Sequence, residues 1–228
     1  MTAPRRLTDD PPASDPPASD PPASDPPLAD VAEQWPVLAT AELARSHIVT
    51  LRTDRVLMPD GTTAERDVVV HPGAVGVVAL DDDDRILMIR QYRHPVGRLL
   101  WEIPAGLRDE AGEPPHRTAE RELLEETGFR AGVWHVLADY FSSPGIITER
   151  LRIFLARGLT EVAEAERHFV RQHEEAQLRF AWVPIEQALA RVLAGELHNG
   201  PAVVGILSAY AARRDGFTGL RPADAPER

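Results

Sequence analysis

Three carboxylates, Glu122, Glu125 and Glu126, stand close together in a segment built from Ala, Glu, Arg and Leu. These residue types are good helix formers. Helical spacing puts Glu122 on the same face as Glu125 and Glu126. Like charges at those spacings repel and cost the helix stability. A hard divalent cation, which takes oxygen ligands, reverses that cost. A solvated acidic face is the plain alternative for such a run standing alone. The surroundings argue otherwise. Gly106 and Glu113 precede the run through a turn-rich loop, Arg121 adjoins Glu122, and Gly128 stands where a helix would stop. The helix is expected to begin around Pro114-Pro115, since Pro fits a first turn, and to run to Thr127.

The long pattern resembles the Nudix hydrolase signature, Gly-x5-Glu-x7-Arg-Glu-U-x-Glu-Glu-x-Gly-U, with U bulky and apolar. Glu113, Arg121, Glu122, Leu123, Glu125, Glu126, Gly128 and Phe129 match in register. Six residues rather than five separate Gly106 from Glu113. The extra residue lies in a loop beside Gly112, where insertion costs little. The resemblance implies metal-assisted hydrolysis of a nucleoside diphosphate linked to another group. It implies Mg²⁺, with Mn²⁺ as a substitute. Glu122 and Glu126 would be the main ligands, with Glu125 sharing or bridging through water. The backbone carbonyl just before the signature glycine, that of Ala105, would join them. Arg121 would orient the carboxylates through ion pairs. Glu113 would support them from behind, helix N-terminus stabilisation being its alternative. Gly106 and Gly128 are structural.

These elements sit in a chain of 228 residues with 43% hydrophobic content, enough for a packed core. The net charge of −11 speaks against binding a nucleic-acid backbone. An acidic protein acting on an anionic substrate needs local positive charge, from metal and a few arginines. There is no cysteine, hence no disulfide or thiol chemistry. The N-terminus lacks an apolar signal region. The longest apolar run, near residues 202–212, is too short to span a bilayer. A cytoplasmic protein without membrane attachment is the expectation.

Along the chain, residues 1–30 form a Pro- and Asp-rich tail with three copies of PPASD. It is too poor in apolar residues to bury a core and is expected to be disordered. Residues 31–72 read as an N-terminal β region. Ser46–Met58 alternates, a Pro59-Asp60-Gly61 turn follows, and Arg66–His71 returns, which suggests an antiparallel hairpin. Residues 73–216 read as the main domain. Val75–Leu80 is a buried strand, Asp81–Asp84 a solvated hairpin tip, Arg85–Arg93 the returning strand, and Leu99–Ile103 a short strand. Val133–Phe141, Leu151–Ala156 and Phe180–Ile185 are further strands. Residues 159–178 make a long polar connection, usually functional or mobile at such length. Ile185–Ala194 and Pro201–Arg213 carry helical spacing. Residues 217–228 read as a frayed tail. The fold class is α/β, an α/β/α sandwich with a mixed sheet behind the N-terminal hairpin region.

Outside the signature, residues from about 35 to 215 resemble the ADP-ribose pyrophosphatase branch of the family, in its actinobacterial type. Gln91-Tyr92-Arg93, the run Trp101-Glu102-Ile103-Pro104-Ala105-Gly106, Ser143-Pro144-Gly145, Glu149 and His173-Glu174-Glu175 carry the likeness. By this resemblance Arg93 and Arg66 contact the diphosphate or terminal ribose. Glu102 and Glu149 bind hydroxyls or support the metal, and Pro144 marks the branch. Glu174 or Glu175 is the candidate base. Strand-surface arginines and an exposed acidic loop are the alternatives. Trp35 is a candidate for adenine stacking or for packing at a dimer interface. The branch forms homodimers with exchanged N-terminal regions, which would account for residues 31–72. The substrate is a small nucleoside diphosphate sugar, ADP-ribose foremost. Another nucleotide sugar or a dinucleotide is the runner-up. A non-catalytic ADP-ribose sensor is the rival of a different class, set against by the complete set of signature carboxylates.

Overall fold

Alternation along two central strands organises the fold. The computed structural model describes residues 28–163 and 179–227. Strand β4 (Ala74–Ala79) is buried throughout and pairs in parallel with β9 (Arg150–Glu161). Successive side chains of a strand point to opposite faces. Val75, Val77 and Ala79, with Phe154 and Ala156, pack under helix α1 (Pro115–Thr127), against its Ala119 and Leu123. Val78 and Leu80, with Ile153 and Leu155, pack on the other face against α2 (Ile185–Leu193) and α3 (Gly200–Arg214). A two-faced apolar strand between helices is what yields an α/β/α sandwich.

The mixed sheet has five strands, in the order β11 (Arg221–Pro222), β8 (Phe129–Phe141), β9, β4 and β7 (Ala105–Leu107). A second, antiparallel sheet places β5 (Arg85–Arg93) between β10 (Arg179–Pro184) and β6 (Arg98–Glu102). A third sheet of β1 (Val37–Arg45), β2 (Thr50–Leu57) and β3 (Thr63–Val70) precedes them. The described residues from Trp35 onward form one compact unit. Among the described residues no helix is long and apolar enough to cross a membrane.

Several elements differ from the sequence expectation. The N-terminal hairpin is a three-stranded sheet. Its first strand has the sequence VLATAELAR, whose alternation is too weak to announce a strand. Asp81–Asp84 is the expected turn, closed by the antiparallel Leu80–Ile86 bridge and by the Asp81 N–H donating to the Arg85 carbonyl, but β4 and β5 continue from it into different sheets. Asp81 Oδ1 accepts from the N–H groups of Asp83 and Arg85, and Asp84, at φ 58°, is held by Arg213. Residues 217–227 are not frayed. Arg221 and Pro222 pair with Val136 and His135, and Arg152 donates to the Ala225 carbonyl. The PPASD repeats lie outside the described residues.

Candidate active site

Helix α1 has no side-chain cap at its start and carries Pro115 in its first turn. It stops at Gly128, whose φ of 79° is the left-handed cap that glycine adopts without a Cβ penalty. Thr118, Ala119 and Leu123 are buried against the five-stranded sheet. That face sets the rotation of the helix, which brings Glu122 and Glu126 onto the edge strand β7.

Two contacts define the junction. A Cβ placed on Gly106 would lie 2.0 Å from Cδ and 2.1 Å from Oε1 of Glu122. Only glycine lets the strand approach the carboxylate this closely. One residue earlier, the Ala105 N–H donates to Glu126 Oε2 at 2.9 Å, and Glu126 is buried. Strand β7 pairs with β4 through Val75–Gly106 and Gly76–Ala105.

Arg121 binds the remaining acids together. Its Nη1 donates to Glu122 Oε1 at 2.9 Å and to Glu125 Oε2 at 3.3 Å, and its Nη2 donates to Glu113 Oε2 at 3.4 Å. Glu113 also accepts from the Thr118 hydroxyl at 2.9 Å. Against the cost of its own burial, these carboxylates hold Arg121 well above its ordinary range. Burial pushes Glu122 up to about 7 in spite of Arg121, and the negative charges of Glu125 and Asp109 add to the rise. A carboxyl so placed lacks positive charge on its open side, which is the environment a cation corrects. The donor set of carboxylate oxygens and a backbone carbonyl suits a hard divalent ion. Among the described residues, no three acidic or histidine side chains are already drawn together tightly enough to hold a metal on their own. Glu125 stands apart from the others in being half-exposed.

Three residues before Ala105, Glu102 is 1% exposed and holds Arg93 in a bidentate pair, Nε to Oε1 at 2.9 Å and Nη2 to Oε2 at 2.7 Å. Gln91 Nε2 lies 3.4 Å from Glu102 Oε2. Gln91 and Arg93 share the strand face of Leu87, the residue of β5 that packs with Ala119 and Leu123. The Arg93 head is 43% exposed.

The remaining expected site residues among those described stand on β3 and in the loop between β8 and β9. Glu149 lies with its Oε1 3.6 Å from His71 Nδ1, and its charge adds to the burial that pushes Tyr140 up to about 12. Pro144 is exposed in a turn closed by Ile146 and Ile147 N–H groups on the Ser143 carbonyl. That turn is bound to β3, because Val69 N–H donates to Ile146 O and Thr148 N–H to Val69 O. Arg66 is exposed on β3 and donates to the Glu65 carbonyl. Glu174 and Glu175 lie outside the described residues. Sequence reading passed over Asp109, whose charge acts on Glu122, and the Ala105 N–H. A loop acid and a main-chain donor carry no pattern by which to find them.

With this geometry in view, a NUDIX domain model matches residues 70–202. An ADP-ribose pyrophosphatase of Mycobacterium tuberculosis is 48% identical over 187 residues, 82% of this chain and 88% of that protein. An ADP-ribose pyrophosphatase of Bacillus subtilis is 35% identical over 169 residues, 74% of this chain and 89% of that protein. The fold is shared with a solved structure described as an ADP compounds hydrolase. The TM-score is 0.66 at 21% identity, covering 82% of this chain and 99% of the other.

Proposed function

This chain is a member of the Nudix hydrolase family, and we propose that it hydrolyses the diphosphate bond of ADP-ribose to AMP and ribose 5-phosphate, with Mg²⁺ as cofactor and Mn²⁺ as a substitute. The observation that carries the reading is the junction of α1 with β7. Glu122 rests on Gly106 and Glu126 on the Ala105 N–H, in a chain 48% identical to an ADP-ribose pyrophosphatase over most of both lengths.

Glu122, Glu126 and the Ala105 carbonyl are the residues that would hold the ion, with Glu125 sharing or bridging through water. Bound there, a divalent ion neutralises the diphosphate and acidifies water. The chain's own groups do the positioning. Arg121 keeps Glu122 and Glu125 on the correct side of the helix. Arg93, steadied by Glu102, meets the diphosphate or terminal ribose, and Arg66, Pro144 and Glu149 complete the substrate contacts. Glu174 or Glu175 takes the proton of the attacking water as its oxygen bonds to phosphorus. The bond from that phosphorus to the bridging oxygen breaks, the bridging oxygen departs with the other phosphate, and AMP and ribose 5-phosphate are released.

The reading includes a homodimer built on the N-terminal sheet. All nine residues of β1 are exposed, Val37, Leu38 and Leu43 among them, and Trp35 stands just before it. Covering that apolar strand with a second copy would also bring Arg66 and Trp35 toward a shared site. The reading places the enzyme in the cytoplasm.

The test is a panel of ADP-ribose, GDP-sugars and dinucleotides with Mg²⁺ or Mn²⁺, following AMP and GMP release. Fastest AMP release from ADP-ribose is expected. Preference for a GDP-sugar or dinucleotide would replace the substrate assignment. Tight ADP-ribose binding without AMP release would revive the sensor.

A further inference from the structure

The last described residues run from one edge of the five-stranded sheet toward the other, where the Arg108 side chain reaches back over Gly73 to meet them. At one edge, Arg221 and Pro222 form β11 on β8. Toward the other, Glu227 Oε1 accepts from Arg108 Nη1 at 2.9 Å, and Arg108 directly follows β7, the opposite edge strand. Between these points Arg152 of β9 donates to the Ala225 carbonyl at 2.6 Å, and Ala223 and Ala225 pack on the α1 side of the core. Asp139 fixes the arrangement, accepting from both Arg152 and Arg221. Four strand-to-strand steps span roughly 19 Å at about 4.8 Å each. So short a segment closes that distance only because long arginine side chains reach to meet it.

Arg108 is well placed to transmit the hold. Its N–H donates to the Gly73 carbonyl at 3.1 Å, so it anchors β7 against the start of β4. Its guanidinium is mostly buried, and Arg150 Nε approaches the same Glu227 oxygen at 4.0 Å. Strand β7 in turn carries Gly106 against Glu122 and the Ala105 N–H on Glu126. It has only three residues and pairs with β4 on one side alone, so its own ladder holds it weakly.

We infer that Glu227 is a positioning residue for the metal site, acting through Arg108 to hold β7 against α1. The inference rests on the reading of Glu122, Glu126 and Ala105 as metal ligands. The C-terminal segment is then a strap whose far end fastens the strand that shapes the site.

The experiment compares Glu227→Gln, Arg108→Gln and the double variant in the full chain. Mn²⁺ binding is followed without substrate by the electron paramagnetic resonance of free Mn²⁺, alongside exchange of the Ala105 amide and the melting temperature. Loss of a direct partner to a ligand weakens metal affinity by 10–100-fold. A group one step further out is expected to weaken Mn²⁺ binding about threefold to tenfold, with faster exchange at Ala105. The double variant should be no worse than either single one, because the pair acts as a unit. A lower melting temperature with unchanged Mn²⁺ affinity and unchanged Ala105 exchange would overturn the inference, as would full additivity of the two substitutions. Glu126→Gln, measured beside them, tests the metal reading separately. Normal Mn²⁺ binding there would remove the ligand assignment, while Ala105 exchange still reports whether the strap holds β7.

Discussion

Gly106 and Glu122 approach so closely that any side chain at residue 106 would occupy the position of the Glu122 carboxylate. Gly106→Ala therefore has to displace Glu122 or move β7. The clash is with the outer atoms of a flexible side chain, so Glu122 yields at less cost than a packed core residue would. A displacement near 1 Å at a reacting centre costs about 100-fold in rate. Turnover should fall by at least that factor, with a modest loss in melting temperature. Near-normal turnover measured by AMP release would mean that the contact does not set the position of Glu122.

Glu126→Gln keeps the shape of the side chain, and its amide oxygen still accepts from Ala105. The fold should survive, so circular dichroism and melting temperature should change little. If Glu126 holds the ion as proposed, removing its charge should cut turnover by more than about 100-fold, beyond the effect expected for outer partners of ligands. Turnover within a few-fold of the parent would remove Glu126 from the metal site.

The helix at the heart of the site was legible from residue types alone, from its proline start to its glycine stop. The reason is physical. Spacing of the Glu side chains and the cap at Gly128 are local properties, fixed within a turn or two of helix. The relation of Gly106 to Glu122 also has a local trace, a glycine at a set distance before a helix. Strand β1 did not announce itself, because both its faces are exposed and nothing imposes alternation on its sequence. The Arg108–Glu227 pair joins residues 119 positions apart, and a single Glu near a polar chain end looks like any solvated residue. The turn at Asp81–Asp84 was legible, but the separation of its flanking strands into different sheets was not, for a related reason. Local turn chemistry was recognised, but the sheet each flanking strand would join is decided by distant partners.

Metal and proton should compete at Glu122. Burial, with Glu125 and Asp109 adding, pushes this carboxyl up to about 7 from an ordinary 4.5 although Arg121 opposes the shift. A carboxyl raised in the folded state contributes stability that is fully present below about 4.5 and is lost as pH rises through about 7. The cation binds the ionised form, so its binding strengthens over the same interval. The rise in melting temperature on adding Mg²⁺ should therefore be larger at pH 8 than at pH 6. An equal rise at both values would show that Glu122 does not titrate against the ion.

The PPASD segment should be dispensable for catalysis. Proline and aspartate repeats bring almost no apolar side chains that a core could use. A chain beginning at residue 31 should keep its turnover and melting temperature within error. A large loss in either would give the repeats a role in the folded enzyme.

Glu102 and Arg93 offer a test of substrate binding apart from metal binding. Glu102 is almost fully buried, while the Arg93 head is 43% exposed. Breaking a fully buried pair by removing one partner costs about 3–5 kcal/mol, but an exposed guanidinium recovers hydration, so Glu102→Gln should cost less, about 1–2 kcal/mol. The larger effect should fall on Arg93. Without the bidentate fork its guanidinium is held less firmly in the orientation proposed for meeting the diphosphate. KM should rise about tenfold, while the Mg²⁺ concentration for half-maximal activity stays the same, since the ligands proposed on α1 are untouched. Arg93→Lys should behave alike, keeping the charge and losing the fork. If either variant changed the Mg²⁺ requirement and left KM alone, the pair would belong to the metal site rather than to the substrate.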